Sequence, residues 1–153
     1  MITSKHMKIV AASATALAAT GAVAASGGAQ TTPETLELVQ RGKETRSKFV
    51  DAPPRRRESP GDMFTISGPV RTTSGARAGR AEAVFVQTSR TTAQGSVTFK
   101  LRRGSVMALG AVGTRGADDL AITGGTGDYA SVSGIATVST GPRETEFLLV
   151  LER

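Results

Sequence analysis

Three glycines fall within four positions of this chain, at Gly124, Gly125 and Gly127, and Gly134 follows shortly after them. Such a cluster is unfavourable inside a helix, because glycine loses more backbone freedom there than any other residue. It is typical of places where the backbone takes positive φ angles or passes close to other backbone. The flanking residues are rich in Ile, Val, Thr and Ser, which favour strands. We therefore interpret these four glycines as the structural motif of a tight turn within a β-sheet.

The same stretch, from Gly125 to Ala130, also fits the pattern G-x-G-x-x-A of dinucleotide-binding loops. That kind of loop needs a helix directly after the glycines, because the N-terminus of the helix holds the pyrophosphate. Residues 131–140 have the composition of a strand instead. The sequence therefore favours a structural turn over a nucleotide site.

Most of the chain is a succession of short strand-like segments separated by turn signals such as Arg103-Gly104 and Gly141-Pro142. Alternation supports strands, since Val97, Phe99 and Leu101 share one face of their segment and polar residues share the other. Segment 43–59 is charged and interrupted by prolines, which predicts a loop. The pattern predicts an all-β fold of about eight antiparallel strands, either a closed barrel or a sandwich. The predicted strands are residues 35–41, 62–67, 79–89, 95–102, 105–111, 120–123, 133–139 and 145–152.

The N-terminal segment has the organisation of a secretory signal peptide. Lys5 and Lys8 precede an uncharged, Ala-rich run that ends in Ala22-Val23-Ala24, with small residues where a signal peptidase reads them. A membrane-spanning anchor needs about 20 strongly apolar residues, which this run does not have. We predict a signal peptide at residues 1–24 with cleavage near Ala24, a flexible lead-in at 25–33, and one β-barrel domain at 34–153. The mature protein is expected to be secreted and to have no stable membrane anchor.

Cleavage removes His6, the one histidine of a chain that has no cysteine. The mature chain then has no Ser-His-Asp triad, no Cys nucleophile, no Cys or His zinc site and no disulfide. With two lysines removed, 17 basic and 13 acidic residues remain, a net charge of +4. The densest basic run, residues 55–57, lies among prolines and reads as a solvated loop. With one Tyr and no Trp in the whole chain, stacking on nucleic-acid bases is not expected.

A resemblance extends over nearly the whole mature chain, from residue 34 to residue 153. It is carried by Phe49-Val50-Asp51, Pro60 to Phe64, Ser74 to Ala81, Gly104 to Gly110, and Ala121 to Ala130 with Gly134. In order and spacing these segments resemble the bacterial dirigent-like proteins with an allene oxide cyclase-type barrel. The Gly-Gly-Thr-Gly element is the most specific part of the match.

The resemblance implies an eight-stranded antiparallel barrel, often trimeric, with a pocket in its mouth and no metal or other cofactor. Relatives of this kind close reactive molecules into rings or steer the coupling of phenoxy radicals. The positions that carry pocket carboxylates, an amide or a thiol in the family fall at Ser67, Gly68 and Phe85. None of the three offers such a group, so acid–base chemistry would have to come from elsewhere.

Candidate site residues follow from strand alternation, with apolar faces turned towards the lumen. Glu37, Gln40 and Asp62 are weak catalytic candidates on the first two predicted strands. An eight-stranded lumen either fills with side chains or holds one small ligand, and both alternatives stay open at this point. The residues predicted to line a ligand are Phe64, Ile66, Ala81, Ala83, Phe85, Phe99 and Phe147.

Three functions are compatible with these observations. The first is a secreted barrel that binds a small apolar molecule and directs the stereochemistry of its coupling or cyclisation. The second is a cofactor-free cyclase or isomerase of secondary metabolism, which would need a polar group in the lumen. The third is a non-catalytic structural envelope protein with a filled barrel. A homo-oligomer, by resemblance a trimer, is also expected, because the last strand is apolar on both faces.

Overall fold

The computed structural model describes residues 32–53, 59–113 and 116–153. The predicted signal peptide, and the lead-in up to residue 31, lie outside the described residues. Within these ranges strands dominate, and one 3-10 turn, Gly42–Glu44, interrupts them. The strands are β1 (Glu34–Arg41), β2 (Arg46–Val50), β3 (Met63–Thr72), β4 (Arg77–Gln87), β5 (Thr92–Leu101), β6 (Gly104–Gly113), β7 (Ala117–Gly127), β8 (Ser133–Thr140) and β9 (Glu144–Glu152).

All of these strands pair antiparallel with their neighbours in one sheet, in the order β1-β9-β8-β7-β6-β5-β4-β3-β2. The sheet closes on itself because β1 also pairs with β3, where Leu38 lies opposite Thr72 and Val39 lies opposite Arg71. Closure leaves the eight-stranded antiparallel barrel that the sequence predicted and excludes the sandwich.

The prediction of a loop over residues 43–59 was wrong for its first part. Arg46–Val50 form β2, which pairs with β3 over five residues. Together β1 and β2 occupy one position of the barrel, since both pair with the same edge of β3 and only the 3-10 turn separates them. The remainder of the predicted loop, as far as the structure describes it, connects β2 to β3.

One half of the barrel is filled with side chains. Phe99, Val106 and Leu149 are completely buried there. Phe99 meets Phe147 edge-on, with ring centroids 5.0 Å apart. This arrangement excludes water from the lower lumen and contributes hydrophobic stabilisation of roughly 25 cal/mol for each Å² of apolar surface buried. These packed side chains close the lumen at one end of the barrel.

Gly124, Gly125 and Gly127 form the end of β7, and Gly134 lies within β8. The turn itself spans residues 128–131, so the glycines flank it. Gly127 has a φ angle of +63° and Gly134 one of +135°, both in regions that favour glycine. A Cβ at Gly125 would collide with the carbonyl oxygens of Ser105 and Tyr129. No helix follows, so the residues cannot form a dinucleotide loop. Among the described residues, no helix has the length and apolar character needed to cross a membrane.

Candidate functional site

The upper half of the barrel is open and contains a cavity of about 400 Å³. It lies at the end where β3, β7 and β9 begin and where β4, β6 and β8 end. The turn at Gly141–Glu144 forms part of its rim. Ligand pockets in proteins commonly occupy roughly 300–1,000 Å³, so the volume suits one small molecule.

Aromatic side chains form one wall of this cavity. Phe64 on β3 lies opposite Phe85 on β4, and the two rings stack with centroids 5.4 Å apart and an interplanar angle of 21°. Phe49 on β2 lies opposite Phe64 and therefore faces the same side of the sheet. Phe49 is 48% exposed and is not among the residues that border the cavity. We call Phe64 and Phe85 the aromatic wall.

Below the rim, the cavity is lined mainly by aliphatic groups. Ala83 and Val97 are register partners on β4 and β5, and Ile66 on β3 lies opposite Ala83. Small side chains at Ala81 and Ala83 leave the space open, and Phe147 limits its depth. This part of the cavity therefore offers mainly apolar contacts to an occupant.

Polar side chains form the other wall, on β1, β9, β8 and β7. Gln40 lies opposite Thr145, which lies opposite Thr140, so their side chains share the lumen face. One row deeper, Asp118 on β7 lies opposite Val138. All four polar residues border the cavity. We call Gln40, Thr145, Thr140 and Asp118 the polar wall.

Two members of the polar wall have unused hydrogen-bonding capacity. Gln40 is only 4% exposed, yet its amide makes no hydrogen bond to any described residue, and its Nε2 is fully buried. Asp118 accepts a hydrogen bond through Oδ2 from the Gly113 N–H at 3.0 Å. Its Oδ1 accepts none from the part of the chain that the structure describes. A buried polar group without a partner is unfavourable, which applies to Nε2 of Gln40. Asp118 is only half-buried, so its Oδ1 is open to water or to a ligand.

Asp62 has a different surrounding and lies away from the cavity. Its side chain is fully buried and accepts hydrogen bonds from the backbone N–H groups of Ser59, at 2.8 Å, and Ala52, at 2.9 Å. The hydroxyl of Ser59 donates to the same carboxylate. The Ser59 N–H is the main cause that lowers the pKa of Asp62; burial opposes it and the Ala52 N–H adds to it. Through these bonds the carboxylate of Asp62 stabilises the connection between β2 and β3.

The barrel is similar in structure to several proteins whose structures have been solved. Pyocyanin demethylase matches with 26% identity and a TM-score of 0.67, over 77% of this chain and 99% of that chain. A pterocarpan synthase dirigent protein matches with 17% identity and a TM-score of 0.66, over 81% of this chain and 97% of that chain. The chain has a dirigent-like barrel. An exo-specific intermolecular Diels–Alderase shares this dirigent-like fold at 12% identity and a TM-score of 0.63, over 80% of this chain and all (100%) of that chain. No protein-family model and no curated protein sequence matches the chain.

The dirigent-like barrel distributes the predicted catalytic residues over three places. Gln40 borders the cavity. Glu37 lies on the outer face of β1, opposite Leu148, and borders a shallow depression at the far end of the barrel. Asp62 supports the loop described above. Of the three, only Gln40 is placed to meet a ligand in the cavity, and its role stays a prediction.

Six of the seven residues predicted to line a ligand border the cavity, and whether they contact a ligand stays a prediction. Phe99 lies one layer deeper, beneath Phe147. Sequence analysis missed Asp118, because the predicted strand began at Leu120 whereas β7 begins at Ala117. Alternation carried back by two residues from Leu120 and Ile122 would have placed Asp118 on the lumen face. Among the described residues, no three His, Cys, Asp or Glu side chains come together as a metal site would require.

Proposed function

We propose that this dirigent-like barrel binds one small, largely apolar ring compound in the cavity and holds it in a single pose for coupling or cyclisation. The observation that carries the proposal is the cavity itself, of about 400 Å³, closed below by packed side chains and lined mainly by apolar groups. The neighbours in fold include a dirigent protein and a Diels–Alderase, which agrees with a role in ring formation. The open cavity gives no support to the filled envelope protein.

A shape-based site of this kind acts by restricting the geometry of its ligand. When the reacting atoms are held close together and aligned, much of the entropic cost of reaching the transition state is met on binding. The face of a ring system that rests on the aromatic wall is then shielded, and the opposite face remains open to attack. The product stereochemistry follows from the pose, without a nucleophile from the protein.

Asp118 favours a second candidate function, a cofactor-free cyclase or isomerase. Proton transfer needs an ionisable group within hydrogen-bond reach of the ligand, and Asp118 borders the cavity. In this version the carboxylate takes a proton from the bound molecule, and the electron pair left behind forms the new ring bond. The protonated carboxyl group then returns the proton to the product, so the carboxylate is regenerated. Loss of turnover with retained binding in Asp118→Asn would distinguish this function from binding and orientation alone.

We further propose that the mature protein is exported after cleavage near Ala24. The Ala-rich run and the small residues at Ala22 and Ala24 support this. N-terminal sequencing of the protein recovered outside the cytoplasm should begin just after residue 24.

The binding proposal can be tested with N-phenyl-1-naphthylamine, an uncharged probe whose fluorescence rises in apolar surroundings. The mature protein should bind it saturably, with one site per chain. Ala83→Phe should fill the cavity and weaken binding by roughly tenfold or more, since it replaces the space that the probe needs. Val84→Phe adds the same ring to the outer face of β4 and is the matched control. Absence of saturable binding, or equal binding by Ala83→Phe, would overturn the proposal.

A further inference from the structure

Exposed apolar side chains gather on the outside of the barrel at the end where the cavity opens. Val50 at the end of β2 and Val86 near the end of β4 belong to one row of the sheet, since both lie opposite Met63. Val84 lies two residues from Val86 and therefore on the same outer face. These three valines, and Phe49 beside Val50, are each between 40% and 48% exposed. Apolar surface concentrated in this way is typical of a contact site.

The charged residues of the strands are divided between two halves of the barrel. Strands β2 to β5 contain one acidic residue, Glu82, and six basic ones. Strands β7, β8, β9 and β1 contain seven acidic residues and one basic residue, Arg41. An anionic surface therefore attracts the first half and repels the second, which gives the barrel one preferred orientation. The six basic residues are Arg46, Lys48, Arg71, Arg77, Arg80 and Lys100.

Two of these cations lie next to the exposed valines. Lys48 lies opposite Thr65, and Thr65 lies opposite Val84, so a cation and an apolar side chain share one row of the outer face. Arg46 is two residues from Lys48 along β2 and has the same orientation. Both side chains are exposed, and neither forms an ion pair with any residue that the structure describes. Their charges are therefore available to an anionic partner.

Glu82 neutralises only part of the positive charge on this face. Its carboxylate lies between Arg80, at 3.2 Å, and Lys100, at 2.7 Å. All three side chains are more than 40% exposed, so these ion pairs are weak and can exchange for other anions. One carboxylate between two cations leaves an excess of positive charge, which adds to that of Arg46 and Lys48.

We propose that this face docks reversibly on the surface of an anionic lipid bilayer. The valines and Phe49 enter the boundary between head groups and acyl chains, and the cations bind the head-group phosphates. The mouth of the cavity then lies beside the lipid, where apolar molecules accumulate. Docking needs no ligand in the cavity, so it is tested independently of ligand binding. The docking face consists of Val50, Val84 and Val86 with Arg46, Lys48, Arg80 and Lys100, and Phe49 at its edge.

Co-sedimentation with vesicles tests the role of charge. The mature protein should sediment with vesicles of phosphatidylglycerol and phosphatidylcholine in equal parts, less so as the salt concentration rises, and it should stay in solution with phosphatidylcholine alone. Lys48→Gln should weaken binding to the anionic vesicles about fivefold, because one cation near the lipid surface is lost. Arg41→Gln removes the same charge from the acidic half of the barrel and should leave binding unchanged.

A fluorescent label tests the role of the valines. The chain has no cysteine, so one introduced cysteine can be labelled selectively with a nitrobenzoxadiazole dye, which brightens in apolar surroundings. The label on Val86→Cys should brighten when anionic vesicles are added. Ala117→Cys is the matched control, since Ala117 is exposed at the same end of the barrel but on β7, in the acidic half.

Equal sedimentation with both kinds of vesicle, or with neither, would overturn the inference. So would unchanged binding in Lys48→Gln, or an equal response of the two labels. If Lys48→Gln instead dissolves an oligomer in sedimentation velocity and vesicle binding is absent, the face contacts a second copy of the chain and not lipid.

Discussion

Asp62 shows how one buried carboxylate can link the stability of the barrel to pH. Its pKa is lowered from an ordinary value of 3.8, chiefly by the Ser59 N–H. A lowered pKa means that the folded state holds the proton less tightly than the unfolded chain does. The stabilisation is therefore complete above the unfolded pKa and is lost as the pH falls through the folded pKa. We predict that Asp62→Asn lowers the free energy of unfolding at pH 7 and flattens its decline between about pH 5 and pH 2.

Urea denaturation across this pH range measures both effects. Asp119→Asn is a suitable comparison, because Asp119 is exposed and its substitution leaves the connection between β2 and β3 intact. An acid dependence of Asp62→Asn as steep as that of the unmodified protein would show that the carboxylate of Asp62 is not responsible.

Asp62 and Asp118 also show what could be predicted about single residues and what could not. Asp62 directly precedes β3, and Asp118 is the second residue of β7. The alternation of side chains along β7 was sufficient to place Asp118 on the lumen face, two residues before Leu120. Nothing in the local pattern could show that Ala52 and Ser59 would fold back onto Asp62, because those contacts depend on the path of the twelve-residue connection, residues 51–62. Residues that face the lumen are therefore more predictable than residues that hold loops.

At the scale of elements, the most instructive segment is the interrupted strand formed by β1 and β2. The barrel and most of its strands could be predicted, because alternation and turn residues are local signals. β2 was missed because Arg46 and Lys48 made its segment look like a solvated loop, although Ser47 and Phe49 alternate with them. The cavity depends on β2, since the wall of the cavity begins at this strand. The depth of the cavity could not be predicted, because that depth depends on how side chains from opposite strands fill a closed barrel.

The turn between β1 and β2 packs closely over β3 at Gly68. A Cβ there would approach the carbonyl oxygen of Glu44 and the Cα of Thr45, both at 3.1 Å, as well as Gln40. Arg71 on β3 holds the same turn by an ion pair with Glu44 at 3.2 Å. We predict that Gly68→Ala lowers the free energy of unfolding by about 1–3 kcal/mol, because two of the three contacts are backbone and must shift.

The same substitution should weaken binding of N-phenyl-1-naphthylamine, since it displaces the amide of Gln40, which borders the cavity. Thermal unfolding and titration of one preparation measure the two effects together. Ser67→Ala, at the adjacent position of β3, is the comparison and should alter neither by much. A fully stable Gly68→Ala with unchanged binding would mean that the turn adapts freely.

At the scale of the whole molecule, the outer surface of the barrel is relevant to its oligomeric state. A row of apolar side chains crosses four neighbouring strands in direct register, at Leu109, Ala121, Ile135 and Val150. Met107 and Leu148 extend it, and both are substantially exposed. A contiguous apolar surface of this kind typically marks an interface. The face is uncharged along the row, which suits a second copy of the same chain better than a charged partner.

We propose that this face joins copies of the barrel into a closed homo-oligomer, with a trimer as the expected form. Burial of the row would remove apolar side chains from water on each chain, and a charge at its centre would have to be desolvated without a partner. Ile135→Lys should therefore convert the oligomer to monomers in sedimentation velocity at micromolar concentration. Gln94→Lys, on the exposed face of β5, should leave the assembly unchanged. A monomeric unmodified protein, or an oligomer that tolerates Ile135→Lys, would show that the apolar row is not a contact between copies of the barrel.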